Sequence, residues 1–263
     1  MPYRLSRFLA LPLFALLIFT ASCTTYNQLK ARNELNKGVK QFTAQKYEDA
    51  AEYFTLAVEL DPELLNARLY LATTHRQAWV PGIRSTENLA QADRAIKAFE
   101  EVLERDSSNV NAMANIAGIY GGNDEPDNAK LWYRKRMEVE PGNPEPYYGI
   151  GTINWKLAHD ITGMNGVSAG EAEEEERLEA ITLVEEGIKV LEQALELDPN
   201  YTDAMQYLNL MYRENAYLAT EEEEKERWER EALKLAMKAL DLRRAQEEAE
   251  SEARRSMSGE VLE

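Results

Sequence analysis

The sequence predicts an all-α chain of five repeated units, and three observations carry that prediction. Gly38, Ala50 and Pro62 stand 12 and 12 residues apart, and Ala117, Ala129 and Pro141 repeat the spacing. One equivalent pair of positions recurs as Ala50–Phe54, Ala95–Phe99, Ala129–Tyr133, Gly187–Leu191 and, more weakly, Ala232–Ala236. Glu59-Leu60-Asp61-Pro62 returns as Glu196-Leu197-Asp198-Pro199, degenerates to Val139-Glu140-Pro141 and is weakest at Arg105-Asp106-Ser107. A fixed period marks a repeat architecture, in which no unit buries its apolar face alone and each is covered by its neighbours.

Through these residues the chain resembles a tetratricopeptide-repeat (TPR) protein over residues 31–246. The resemblance implies a TPR-type helical solenoid whose units, about 34 residues each, run helix, turn, helix. The units fall at about 31–64, 65–109, 110–143, 144–201 and 202–246. Gly38, Ala72, Ala117 and Gly151 in the first helices, and Ala50, Ala95, Ala129 and Gly187 in the second, let paired helices approach closely. Phe54, Phe99 and Tyr133 fill the space toward the next unit. Pro62, Pro141 and Pro199 end second helices, because proline cannot continue one.

Units one and three have the regular length. In the others the equivalent separations, Ala72 to Ala95, Gly151 to Gly187 and Asn209 to Ala232, exceed the regular 12 by 11, 24 and 11 residues. Each insertion lies between a unit's two helices, and much of it reads as an early start to an elongated second helix. Ser168 with Glu171 and Thr220 with Glu223 form capping boxes, in which hydroxyl and glutamate satisfy orphan backbone N–H groups. Glu171, Glu173–Glu176 and Glu221–Glu224 then sit in or near first turns, where the macrodipole favours negative charge. Consecutive glutamates on a helix diverge, so these runs do not make a calcium loop.

Ahead of the repeats, Arg4 and Arg7 precede an apolar run from Phe8 to Phe19, too short to span a membrane but suited to a secretory signal over residues 1–22. It closes as Thr20-Ala21-Ser22-Cys23, and here the chain resembles a bacterial lipoprotein, in which small residues lead into a cysteine that is lipidated before cleavage in front of it. The resemblance implies a membrane anchor on Cys23, with residues 23–30 as lipidated N-terminus and linker. Thr20 stands where that motif usually has an aliphatic residue, and ordinary cleavage after Ala21 or Ser22 is the alternative. Thr24, by the same resemblance, implies an outer-membrane lipoprotein facing the periplasm of a Gram-negative cell.

Composition narrows the function. The 263 residues, 44% of them hydrophobic, supply a sizeable core. Thirty bases against 47 acids give a net charge of -17, and loss of the signal takes away Arg4 and Arg7 but no acid, leaving -19. Nucleic acid is thereby excluded as a partner. A single cysteine rules out an internal disulfide, and two histidines leave little for metal or histidine chemistry, so no cofactor and no metal site are expected. Gly166-Val167-Ser168-Ala169-Gly170 matches a serine-hydrolase elbow, but no strand precedes it and both histidines lie before Ser168, so it reads as a helix cap. Gly121-Gly122-Asn123-Asp124 lacks a P-loop lysine and reads as a turn, with Pro126 opening the next helix. His75 has no ligand partner three or four residues away. The chain is not expected to be an enzyme. Residues 247–263 form a charged tail, read as a solvated helix extension that becomes disordered near Ser256.

By resemblance to TPR proteins, the first helices line a concave groove that binds a partner. Helical spacing directs Leu35, Val39 and Phe42 of unit one toward it, followed by Asn66, Leu69, Thr73 and Arg76. Unit three supplies Asn111, Ala114, Asn115 and Gly118; unit four supplies Tyr148, Thr152 and Trp155; unit five supplies Gln206, Leu210 and Arg213. The lysines by which the chaperone-tail subgroup grips a terminal carboxylate are missing. The expected function is a lipid-anchored periplasmic scaffold holding a protein or peptide segment of the cell envelope, in support of assembly or export at the outer membrane. The alternative is a small-ligand or glycan-binding lipoprotein in which Trp155 and Tyr148 stack on a sugar.

Overall fold

A computed structural model describes the backbone of residues 10–163 and 174–259 and the side chains of residues 25–163 and 174–256. Arg4, Arg7, the Ser168–Glu171 capping box and the Gly166–Gly170 motif lie outside the described residues, as does the side chain of Cys23. Among the described residues there are ten helices and no strand. They are α1 (Ala10–Thr43), α2 (Tyr47–Leu60), α3 (Leu65–Ala78), α4 (Thr86–Leu103), α5 (Val110–Gly122), α6 (Pro126–Val139), α7 (Glu145–Thr162), α8 (Glu174–Leu197), α9 (Thr202–Leu218) and α10 (Glu222–Gly259). The chain divides between Glu125 and Pro126 into two compact units.

In the first unit each helix packs on the next, from α1 to α5, and α3 also touches α1 and α5. The small residues set the distances. A Cβ on Gly38 would come within 2.5 Å of the Phe54 ring, so only glycine lets α1 lie against that fully buried side chain. Tyr70 of α3 stacks on the other side of this contact, its ring centroid 5.2 Å from that of Phe54. Between α3 and α4 the chain forms a loop, 79–85, held at three points. Asn88 accepts from the Val80 N–H at 2.8 Å and donates to the Val80 and Ile83 carbonyls at 2.8 and 2.7 Å. Trp79, 3% exposed, packs on Gly122, where any side chain would collide with its ring, and donates from Nε1 to Asn123 Oδ1 at 3.1 Å. Ser85 caps α4 by accepting from the Asn88 N–H.

In the second unit the helices pack in order from α6 to α10, and α7 touches α9. A Cβ on Gly151 would fall 2.5 Å from Leu191 Cγ, and one on Gly187 would strike the Met211 methyl, which is how α7 approaches α8 and α8 approaches α9. A polar network crosses the interior of this unit. Lys130 of α6, 7% exposed, donates from Nζ to Asn154 Oδ1 at 2.7 Å and to Glu186 Oε2 at 3.1 Å. Asn154, fully buried on α7, donates from Nδ2 to Glu186 Oε2 at 2.9 Å, and Arg134 closes the far side of that carboxylate at 2.6 Å. Burial pushes the Glu186 carboxyl upward, but the bonds from Asn154, Arg134 and Lys130 outweigh it and hold the group below its ordinary value.

Four features differ from the sequence expectations. Residues 23–30, expected as a linker, are helical within α1. The tail from residue 247 continues α10 as far as Gly259, past Ser256 where helix was expected to give way. The insertion of the second repeat, residues 65–109, is less helical than expected: α4 has 18 residues against 14 in α2, and the remainder is the 79–85 loop. Thr220 does not cap α10. That helix opens at Glu222, and Glu221 holds the cap position, its carbonyl accepting from the Lys225 N–H at 3.0 Å. Among the described residues no helix is long and apolar enough to cross a membrane.

Candidate functional site

The first helices carry different chemistry in the two units. In the first unit, Phe42 meets Tyr47 and Tyr70 edge-on at centroid distances of 5.6 and 6.1 Å, which makes it part of the packing among α1, α2 and α3. Asn66 is exposed on α3, and Leu69 is half-buried one turn on. Arg76 lies with its guanidinium 4.7 Å from the centre of the Trp79 ring; its Nε is buried without an acceptor, and burial lowers its proton affinity. On α5, Asn111 is exposed and accepts at its carbonyl from Asn115 Nδ2 at 2.8 Å. This is a polar surface in which the arginine is already stacked on an aromatic face rather than standing alone.

The second unit holds an aromatic row. Tyr148, Thr152, Trp155 and His159 follow one another at four, three and four residues along α7, which keeps them on one stripe. Tyr207 and Glu214, seven residues apart on α9, meet that stripe, and Tyr201 enters from the residue before α9. Ring centroids of Tyr148 lie 5.2 Å from Tyr201 and 5.5 Å from Tyr207, and Trp155 stands edge-on to Tyr207 at 5.5 Å. His159 stacks on Trp155 at 5.0 Å with the planes 15° apart. Its Nδ1 is 2.6 Å from Glu214 Oε1, whose second oxygen accepts from the Thr162 hydroxyl at 2.8 Å. Thr152 donates to the Gly149 carbonyl.

The row is half core and half surface. Tyr148, Trp155, Tyr201 and Tyr207 are partly buried against the apolar cluster of Val184, Leu191, Leu208 and Met211, yet each keeps part of its surface open. Burial raises the Tyr148 phenol, and burial together with nearby Tyr148, Glu145, Asp203 and Asp198 pushes Tyr201 up to about 12. Both phenols therefore remain neutral at physiological pH and act as hydrogen-bond donors or acceptors rather than charges. The Trp155 Nε1 is buried without a partner.

Gln206 and Arg213 are placed elsewhere. One residue of helix turns a side chain by about 100°, so the stripe through Gln206, Leu210 and Arg213 is rotated away from the one through Tyr207 and Glu214. Gln206 and Leu210 face α10, where with Asn209, Ala236, Ala239, Leu240 and Arg243 they line a groove of about 350 Å³. Sequence reasoning thus found Tyr148, Thr152 and Trp155 but missed Tyr201, Tyr207, His159 and Glu214. The signal for two of them was present, since Tyr207 and Glu214 repeat at the same seven-residue interval as Tyr148 and Trp155. Among the described residues no group of three or more His, Cys, Asp or Glu side chains could hold a metal ion.

No family model matches the chain. A curated relative, tetratricopeptide repeat protein 8 of Caenorhabditis elegans, is 31% identical over 68 residues; the match spans 26% of this chain and only 13% of that protein's length. Among solved structures, a crystal structure of MamA protein is similar with a TM-score of 0.56 at 15% identity, over 83% of this chain and 94% of that one. MamA from Desulfovibrio magneticus RS-1, residue 41 to the end, gives 0.56 at 16% identity over 82% and 97%. The chain has the all-α TPR-type helical solenoid fold.

Proposed function

We propose that this chain is a lipid-anchored scaffold of the outer membrane, facing the periplasm, that holds an extended or helical segment of another envelope protein on its first helices. The observation that carries the reading is the aromatic row of Tyr148, Trp155 and Tyr207, which is positioned by two packed first helices and left partly open. Rigid aromatics with an apolar body and a polar tip supply contact area at little entropic cost, and they dominate binding energy at protein interfaces. A protein segment suits the row better than a sugar, because one face of the Trp155 ring is covered by His159. The address rests on Arg4, Arg7, the apolar run and the lone Cys23.

The test places a photocrosslinking amino acid at Tyr207 in cells, isolates the envelope and identifies adducts by mass spectrometry. A defined protein adduct that Trp155→Ala abolishes, in a variant whose melting temperature is nearly unchanged, is the expected result. If Trp155→Ala lowers the melting temperature and leaves the adduct intact among folded molecules, the row is core and the reading fails. Fractionation tests the anchor: Cys23→Ala should leave the membrane after a high-salt wash, and wild type should take up labelled fatty acid.

A further inference from the structure

One flank of α10 carries an apolar stripe that stays largely exposed, bordering at Leu240 the groove shared with α9. Leu233, Met237 and Leu240 are 61, 58 and 46% exposed, while Ala232 and Ala239, about 100° round the same helix from Leu233 and Leu240, are buried to 3 and 4%. Their spacing of four and three residues is that of a coiled-coil seam. Extended at the same spacing, the seam passes through Glu226 and Arg230 on one side and Arg244 and Glu247 on the other.

The charges on that seam choose an occupant. We infer that the stripe is a docking surface for a second copy of this chain, with the two α10 helices antiparallel and related by a two-fold axis near Lys238 and Ala239. In that register Met237 of each copy meets Leu240 of the other, and Arg230 meets Glu247. The flanking positions bring Lys234 opposite Asp241 and Arg227 opposite Glu248. Each of these three opposite-charge pairings occurs twice by symmetry, against one repeated like-charge pairing, Glu229 with Glu250. A parallel pairing would set Glu226, Arg230, Arg244 and Glu247 each against its own copy, four like-charge layers beside three apolar ones, whereas the antiparallel register keeps two apolar layers and lays each Leu233 along the stem of an Arg244. The charges alternate so that the helix complements its own reverse.

Lys234, Arg227, Asp241 and Glu248 are all exposed and able to make these contacts. Lys234 now pairs with Glu231 at 2.7 Å on its own helix, a solvent-exposed contact that is easily exchanged. The paired stretch from residue 227 to 250 is about 36 Å long. With three apolar side chains per copy it lies at the small end of specific interfaces, so a dissociation constant on the order of tens of micromolar is expected, weakening as salt is added.

Sedimentation of the intact chain in mild detergent, from about 5 to 500 μM, tests the pairing. Wild type should pass from monomer to dimer across that range. Lys234→Asp and Asp241→Lys should each weaken dimerisation about tenfold, because each sets like charges face to face. An equimolar mixture of the two single variants should recover wild-type association as a heterodimer, since the aspartate introduced in one copy then meets the lysine introduced in the other; this recovery also shows that both variants are folded. A wild-type mass that stays monomeric throughout overturns the proposal, including the case in which a different protein covers the stripe. Dimers that neither single variant weakens overturn it as well, because the contact then lies elsewhere.

Discussion

Replacing Asn154 by leucine tests whether the buried network of the second unit stabilises it or is merely tolerated. Asn154 is fully buried and makes two hydrogen bonds, one accepted from the Lys130 ammonium at 2.7 Å and one donated to the Glu186 carboxylate at 2.9 Å. Leucine nearly preserves the volume and removes both. Hydrogen bonds to charged groups contribute about 1.5–3 kcal/mol each, so the loss is about 3–6 kcal/mol, offset by about 1.5–3 kcal/mol from burying an apolar side chain. The net expectation is a destabilisation of about 2 kcal/mol, read as a fall in melting temperature of roughly 2–4 °C per kcal/mol for a chain of this size. The pH dependence carries the sign. Because the Glu186 carboxyl is held below its ordinary 4.5, its contribution is fully present above that value and is lost as pH falls through the lower, folded-state value. The gap between wild type and Asn154→Leu should therefore be full at neutral pH and narrow in acid. Calorimetry at pH 7 and pH 4 measures both. An equal melting temperature at pH 7 would refute the reasoning, since it would mean that desolvation of Lys130 and Glu186 cancels everything their bonds supply.

Four further substitutions probe the account of the helices. Gly151→Val should cost about 2 kcal/mol or more by driving Leu191 off its position, whereas Gly118→Ala, whose Cβ meets nothing within 4 Å, should stabilise α5 by about 0.5–1 kcal/mol; equal effects in chemical denaturation would sink the close-packing explanation. Asn88→Ala removes three bonds to the loop between α3 and α4, so the Val80 amide should exchange at least about tenfold faster, and unchanged protection would show that Trp79 alone holds the loop. Thr220→Ala should cost less than about 0.5 kcal/mol, because Glu221 rather than Thr220 stands at the start of α10; a loss near the 1 kcal/mol typical of a cap would restore the threonine to that role.

What could be read in the sequence and what could not follow one physical distinction. The repeat frame rests on pairs in which a residue without a side chain faces a residue that fills the gap, as Gly38 faces Phe54 and Gly151 faces Leu191. Such pairs recur because each unit solves the same packing problem, and recurrence is visible in one chain. The network of Lys130, Asn154 and Glu186 solves a problem found once. Its members lie 24, 32 and 56 residues apart, and each by itself looks like a surface residue. The same holds for Trp79 and Asn123, 44 residues apart. The aromatic row of α7 and α9 was read only in part for a different reason. A repeat frame fixes helix positions to within a residue or so, but one residue is a rotation of about 100°, enough to exchange the Tyr207 stripe facing α7 for the Gln206 stripe facing α10.

Part of the chain's acidity has a local cause in its long helices. The second helices of the fourth and fifth repeats, α8 and α10, run to 24 and 38 residues, against 14 in α2. Helix that extends past its packed neighbour must be held by interactions within itself, because propensity alone is marginal. Both open with three glutamates in the first turn, Glu174–Glu176 and Glu222–Glu224, where the helix dipole favours them. Along α10 the ladder continues through Lys225 with Glu222, Arg230 with Glu226, Lys234 with Glu231 and Arg254 with Glu250, all at three or four residues. Each pair adds only a few tenths of a kcal/mol, so the helix needs many of them. The glutamates that open α8 and α10 contribute to the excess of acid, whereas those of the ladder are balanced by the lysines and arginines they pair with.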